Sequence, residues 1–333
     1  MFKQCFRGLA LGFLHTAFTM NANAAHGSVP KTEADTYAAW RAEAARTLTA
    51  HSDSESLVAA AALTFVGPPS RPKAESSKAA SAAVELAVKA SELAPDSPAI
   101  SWLRLHLCAA APSCDVRDAA TTMRWVDADN AAAWMPTLAA AQKDKDTVQV
   151  DRVLTDMAQG ARFDLYGNRT TVMVFDALKR ARAGLPANYA ASDLSRLTEA
   201  LGIANTAVMP SFSSLINACR EASVGERRDA CLRLSKIMQK ADAVLAQLVG
   251  FAIEKHLMSA DIKEQRVIAE RRRLLEWRVS SANISDTPLL PWLRNARARS
   301  RLAKMRAMSR EEDVCIALLR EHGIPLDPPE EHR

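Results

Sequence analysis

Short apolar runs separated by proline, aspartate and serine give this chain its pattern, and the runs have helical spacing. The hydroxyl of Thr32 and Asp35 three residues later predict a first helix start, and Ser52 with Glu55 predict a second just before the apolar run Leu57 to Val66. Gly67-Pro68-Pro69-Ser70-Arg71-Pro72 breaks that run, because proline lacks the amide that a helix interior needs. Further helices are expected up to Cys108, from Asp115 to Val126, from Ala131 to Gln142 and from Thr147 to Gln159. From Ala190 the helices lengthen: Leu215 to Cys219, one helix from Arg227 toward His256, and another from Asp261 to about Val279. After a break at Ser280 to Pro291 come Trp292 to Met308 and Glu311 to His322, with Gly323 as the stop. No stretch alternates apolar and polar residues with β-branched enrichment for long enough to argue a sheet, so the expected class is all-α.

Two junctions repeat. Ala94-Pro95-Asp96-Ser97-Pro98 precedes a helix with Trp102 and Leu105, and Asp127-Ala128-Asp129-Asn130-Ala131 precedes one with Trp134 and Leu138. Asp96 and Asp129 are 33 residues apart and the tryptophans 32 apart, the period of helix-hairpin repeats. With these residues the chain resembles a degenerate tetratricopeptide-repeat protein or a related α-solenoid, over about residues 76 to 163. It departs from the family pattern at His106, Leu138, Asp118 and Val150, where the repeat calls for small residues. The resemblance, extrapolated, implies stacked hairpins over 32–186 and an extended surface that binds protein or peptide partners, while the longer helices set off a C-terminal helical region over 187–324. Residues 325–333 read as a loose tail.

The N-terminal residues add an address. Lys3 and Arg7 precede the apolar run Leu9 to Met20, and Ala22-Asn23-Ala24 is a small-x-small cleavage site, the organisation of a secretory signal peptide over 1–24. Cleavage is expected before Ala25, leaving a flexible leader at 25–31 and a periplasmic or secreted protein without a transmembrane segment. Alanine carries much of the 48% hydrophobic content, and only 11 glycines occur, which favours helix. The formal charge of +5 conceals an asymmetry: Lys263 to Arg310 holds thirteen Lys or Arg against Glu264, Glu270, Glu276 and Asp286. Arg294, Arg297, Arg301 and Lys304 share a helical stripe, a candidate contact for an anionic envelope surface or an acidic partner. Sparse interleaved aromatics and export argue against nucleic acid.

Export also gives the cysteines meaning, since an oxidising compartment permits disulfides. Cys108 and Cys114 bracket one helix-to-helix turn, and Cys219 and Cys231 bracket another. Each pair is expected to staple its own hairpin, leaving Cys315 as a buried free thiol. The competing metal site of His106, Cys108 and Cys114 lacks the paired short intervals of a zinc module and a fourth ligand.

The chain carries no glycine-rich phosphate loop, GxSxG elbow, HExxH pair or EF-hand loop. Ser70 and Lys73 have a serine-lysine spacing but sit among prolines, and Glu311-Glu312-Asp313 reads as acid at a helix start. His256 reads as a cap or satisfied partner. No catalytic, cofactor-binding or metal residue is assigned. The expected function is an exported helical scaffold for protein or peptide partners. The rival readings are an envelope enzyme with a divergent helical site and a structural or inhibitory protein docked on an anionic surface by its basic end.

Overall fold

The computed structural model describes residues 31–66, 73–181, 192–222, 224–282 and 291–330. The expected signal peptide, the leader up to residue 30, the prolines of 67–72 and most of the 280–291 break lie outside the described residues. Among the described residues the chain forms fifteen α-helices and one 3-10 turn, with no strand beyond an isolated bridge between Asn130 and Arg162.

The first helices follow one another as packed neighbours: α1 (Lys31–His51), α2 (Ser54–Phe65), α3 (Lys73–Leu93), α4 (Pro98–Ala110) and α5 (Val116–Val126). A 3-10 turn, Ala131–Trp134, leads into α6 (Met135–Lys143), which pairs with α7 (Thr147–Met157). The chain then returns. α8 (Gly167–Arg180) packs on α2, and α9 (Asp193–Val208) packs on α8, α2 and α4. α10 (Ser213–Arg220) and α11 (Gly225–Met238) lie against α6 and α7, so the surface of that hairpin is covered by one that follows some fifty residues later in the chain. α12 (Val244–Leu257) packs on α10 and α11, and α13 (Ile262–Ser281) on α12. α14 (Pro291–Ala307) rests on α8 and α9, and α15 (Glu311–Glu321) contacts both α13 and α14. A stack with contacts only between successive hairpins would not bring α9 back onto α2 and α4.

Several helix starts follow from side chains that accept the first free amides. Asp115, Asp146 and Asp261 cap α5, α7 and α13, and Ser192 caps α9. At α2 the cap is Asp53, not Ser52: its carboxylate accepts from the Ser56 amide at 2.9 Å, while Ser52 takes a left-handed φ of 54°. A carboxylate is the stronger acceptor and adds a favourable charge at the helix N-terminus, which moves the start on by a residue.

The long helix expected from Arg227 toward His256 is two helices, because residues 239–243 leave helical geometry between α11 and α12. The two then fold against each other closely. A Cβ on Gly250 would stand 2.8 Å from the Ser235 carbonyl oxygen and 2.9 Å from Met238 Cβ. One cluster of buried apolar side chains extends from Trp40 to Leu319, across the boundary expected near residue 186. Trp102 lies within it, 1% exposed, and its indole N–H donates to the Val208 carbonyl at 3.0 Å, tying α4 to the end of α9.

Candidate functional site

Both expected cysteine pairs are at disulfide distance. Cys108 and Cys114 join α4 to the turn before α5 with Cα atoms 5.2 Å apart, and Cys219 and Cys231 join α10 to α11 with Cα atoms 5.6 Å apart. Cys315 is a buried free thiol, and burial pushes its pKa up to about 12. His106 faces the rings of Phe65 and Trp102, and burial lowers its pKa to about 4, so it is neutral at ordinary pH. His256 Nε2 donates to the Arg220 carbonyl at 3.2 Å, the satisfied-partner role.

The basic stripe of α14 divides. Arg294 is exposed, whereas Arg297, Arg301 and Lys304 are half-buried. Lys304 pairs with Glu321 of α15, burial together with the nearby Arg297 and Lys304 lowers the His322 pKa, and Arg301 lies near Cys315. The stripe therefore faces α15 along much of its length. On other faces of α14, Arg299 pairs with Asp193 at 3.3 Å and Arg306 with Asp176, which fastens the helix to α9 and α8.

A dense polar constellation among the described residues is one that no motif announced. It lies where the 162–168 segment, the break between α11 and α12, and the turn between α14 and α15 meet. Asp242 is 5% exposed, and its two carboxylate oxygens accept from the Leu165 amide at 2.8 Å and the Tyr166 amide at 2.7 Å. The same residue's carbonyl accepts from the Glu311 amide at 2.7 Å, and the Glu311 side chain accepts from the Val244 amide at 3.0 Å. Asp164 returns the contact, its carboxylate taking a hydrogen bond from the Asp242 backbone. Asn130 reaches the same place from the repeat side, accepting from the Asp164 amide at 3.0 Å and donating to its carbonyl at 2.9 Å. Tyr166 donates to Asp127, which is also paired with Arg162. Asn168 donates to the carbonyls of Met308 and Ser309 at 3.3 and 3.1 Å.

This set of bonds holds Tyr166 at a left-handed φ of 56°, a costly conformation for a non-glycine residue, and so fixes how α8 leaves the junction. Burial, with Asp164 and Glu311 adding negative charge nearby, drives the Asp242 carboxyl up to about 7 in spite of its two amide donors. Burial also raises Asp164, against the pull of Arg162, and takes the Tyr166 phenol to about 12. Another buried carboxylate, Glu254, has cations beside it in Lys236 and Arg271, a pairing that Asp242 lacks. Chemically the junction is a clamp: the Asp242 carboxylate oxygens are spent on backbone amides of the chain itself, and what that group can do is take up a proton.

At the surface, the exposed large apolar side chains include Trp125, Val148, Val224, Ile262 and Leu93. Trp125 is 76% exposed near the end of α5. Its neighbour Arg124 turns away, with the guanidinium 4.4 Å above the ring of Trp134 and a hydrogen bond to Thr121 at 3.1 Å. Sequence reasoning passed over Trp125, although a tryptophan on the polar side of a short amphipathic helix is a legible signal.

No family model, no curated protein and no solved structure matches this chain. Among the described residues no helix is long and apolar enough to cross a membrane, and no group of His, Cys, Asp and Glu side chains is arranged to hold a metal ion.

Proposed function

We propose that this protein works outside the cytoplasm as a tetratricopeptide-like scaffold of helical hairpins that binds a protein or peptide partner. The observation that carries the reading is Trp125, an indole left 76% exposed on a stapled helical hairpin. Tryptophan is the side chain most enriched among residues that dominate binding energy, because it buries a large rigid surface at small entropic cost. The two cysteine pairs support an oxidising compartment and the signal-peptide reading of residues 1–24.

Affinity capture of the exported protein from an envelope extract, with Trp125→Ala alongside, tests it. A partner retained by the native chain and reduced about thirtyfold in affinity by the substitution is the expected result, since a dominant contact is worth about 2 kcal/mol or more. Identical recovery from both chains would count against this surface.

A further inference from the structure

The segment after α15, expected to hang loose, is held in place. Gly323 takes a φ of 65° and reverses the chain, and the Ile324 amide donates back to the Leu319 carbonyl at 2.9 Å. From there the side chains alternate: Ile324 and Leu326 pack on the core, Pro325 and Asp327 face outward, and Pro328 is buried. Two side chains of α13 receive the backbone. The Trp277 indole N–H donates to the Pro325 carbonyl at 3.1 Å, and Arg278 Nε donates to the Leu326 carbonyl at 3.5 Å. Arg278 is itself fixed against α15 by Glu312 at 2.9 Å, so α13 and α15 together hold the donors that meet this segment.

This is how a peptide site is built. Carbonyls are read by an indole and a guanidinium, which accept any residue there, and alternate side chains enter apolar pockets that select among sequences. Pro325, Pro328 and Pro329 have restricted φ and no amide to satisfy, so an extended segment of this composition loses little entropy on docking.

We propose that α13 and α15 form a groove for an extended, proline-containing apolar segment of a partner protein, and that residues 324–328 fill it as a built-in competitor. The partner segment has the pattern apolar, proline, apolar, any residue, proline. It gains access when the chain's own segment lifts. This inference rests on the scaffold reading and gives that scaffold a second contact, separate from Trp125.

The test uses the full chain with Ile324→Ser and Leu326→Ser, which empties the pockets, and a fluorescent peptide of residues 323–330. Anisotropy should show saturable binding to the released chain and binding at least about tenfold weaker to the native one, whose groove is occupied. Adding Trp277→Phe to the released chain keeps an aromatic ring and removes the donor, and should weaken binding about fivefold to tenfold. A released chain with native circular dichroism that fails to bind, or that binds regardless of Trp277→Phe, overturns the proposal.

Hydrogen exchange on the unaltered chain provides a second measurement if the released chain does not fold. The Trp277 indole N–H, bonded to the Pro325 carbonyl, should exchange at least about a hundredfold faster than the amides of α13, since the strap opens without the helix. Exchange at the rate of the α13 amides refutes a strap that lifts. Neither result alters the outcome of capture at Trp125, so the two readings fail separately.

Discussion

Replacing Asp242 with asparagine tests the junction most sharply. Asp242 titrates near 7 in the folded protein against 3.8 as an ordinary aspartate. A carboxyl whose folded pKa is raised binds its proton more tightly when folded, so its stabilising contribution is complete below about 4 and is lost as pH rises to about 7. Each pH unit in that window is worth roughly 1.4 kcal/mol, on the order of 4 kcal/mol across the whole of it. Asp164, also raised by burial, acts in the same sense, whereas Asp53 and Glu321 act in the opposite one: hydrogen bonds hold Asp53 below its ordinary value despite some desolvation, and the Lys304 and Ser300 bonds hold Glu321 down. Their contributions fade as the solution becomes acid, below the range where Asp242 changes most. Buried His106, lowered from 6.5 to about 4, gains stability as pH rises to about 6.5 and opposes Asp242 over part of this window. The Asp242 contribution is therefore read as the difference between the native and Asp242→Asn melting midpoints between about pH 5 and 8, which should shrink as pH rises toward 7. An asparagine at this position does not titrate, and it offers one acceptor to two amides, so Asp242→Asn should cost about 1–3 kcal/mol at about pH 5 and less toward about pH 7. An equal slope in both chains would refute the assignment of the proton to Asp242.

Gly250→Ala should destabilise by about 1–3 kcal/mol in a denaturant titration, because the new methyl meets the α11 backbone at 2.8 Å and has no flexible neighbour to displace. Cys219→Ser with Cys231→Ser opens a loop of 12 residues and should lower stability by roughly 3 kcal/mol, read by chemical unfolding; no change would mean that the α10–α11 hairpin is held by packing alone. Trp125→Ala should leave the melting midpoint nearly unchanged, within about 0.5 kcal/mol, since the exposed indole contributes little to the fold.

Much of the helical grammar is legible from local chemistry. Asp115, Asp146 and Asp261 sit where capping requires an acceptor, and Gly323 stands where a helix must reverse. The cysteine pairs could be read because each closes a single turn. The break between α11 and α12 could not, because Lys240-Ala241-Asp242-Ala243 contains neither proline nor glycine. What interrupts the helix there is a set of bonds from Asp242 to amides 76 and 77 residues away, a tertiary effect that overrides helical propensity. The α14 stripe teaches a related lesson. Periodicity places Arg294, Arg297, Arg301 and Lys304 on one face, but which neighbour that face meets depends on α15 and its Glu321. Residues 324–328 escape a helix-based reading because their alternation is too short to register and their partners lie in α13.

The scaffold reading stands or falls most directly on what touches Trp125 in the cell. A photo-crosslinking residue at position 125 of the exported protein, activated in intact cells, should yield one discrete protein adduct, absent when the probe is moved to the exposed Arg117 of the same helix. No adduct at 125, or the same adducts from both positions, would contradict it.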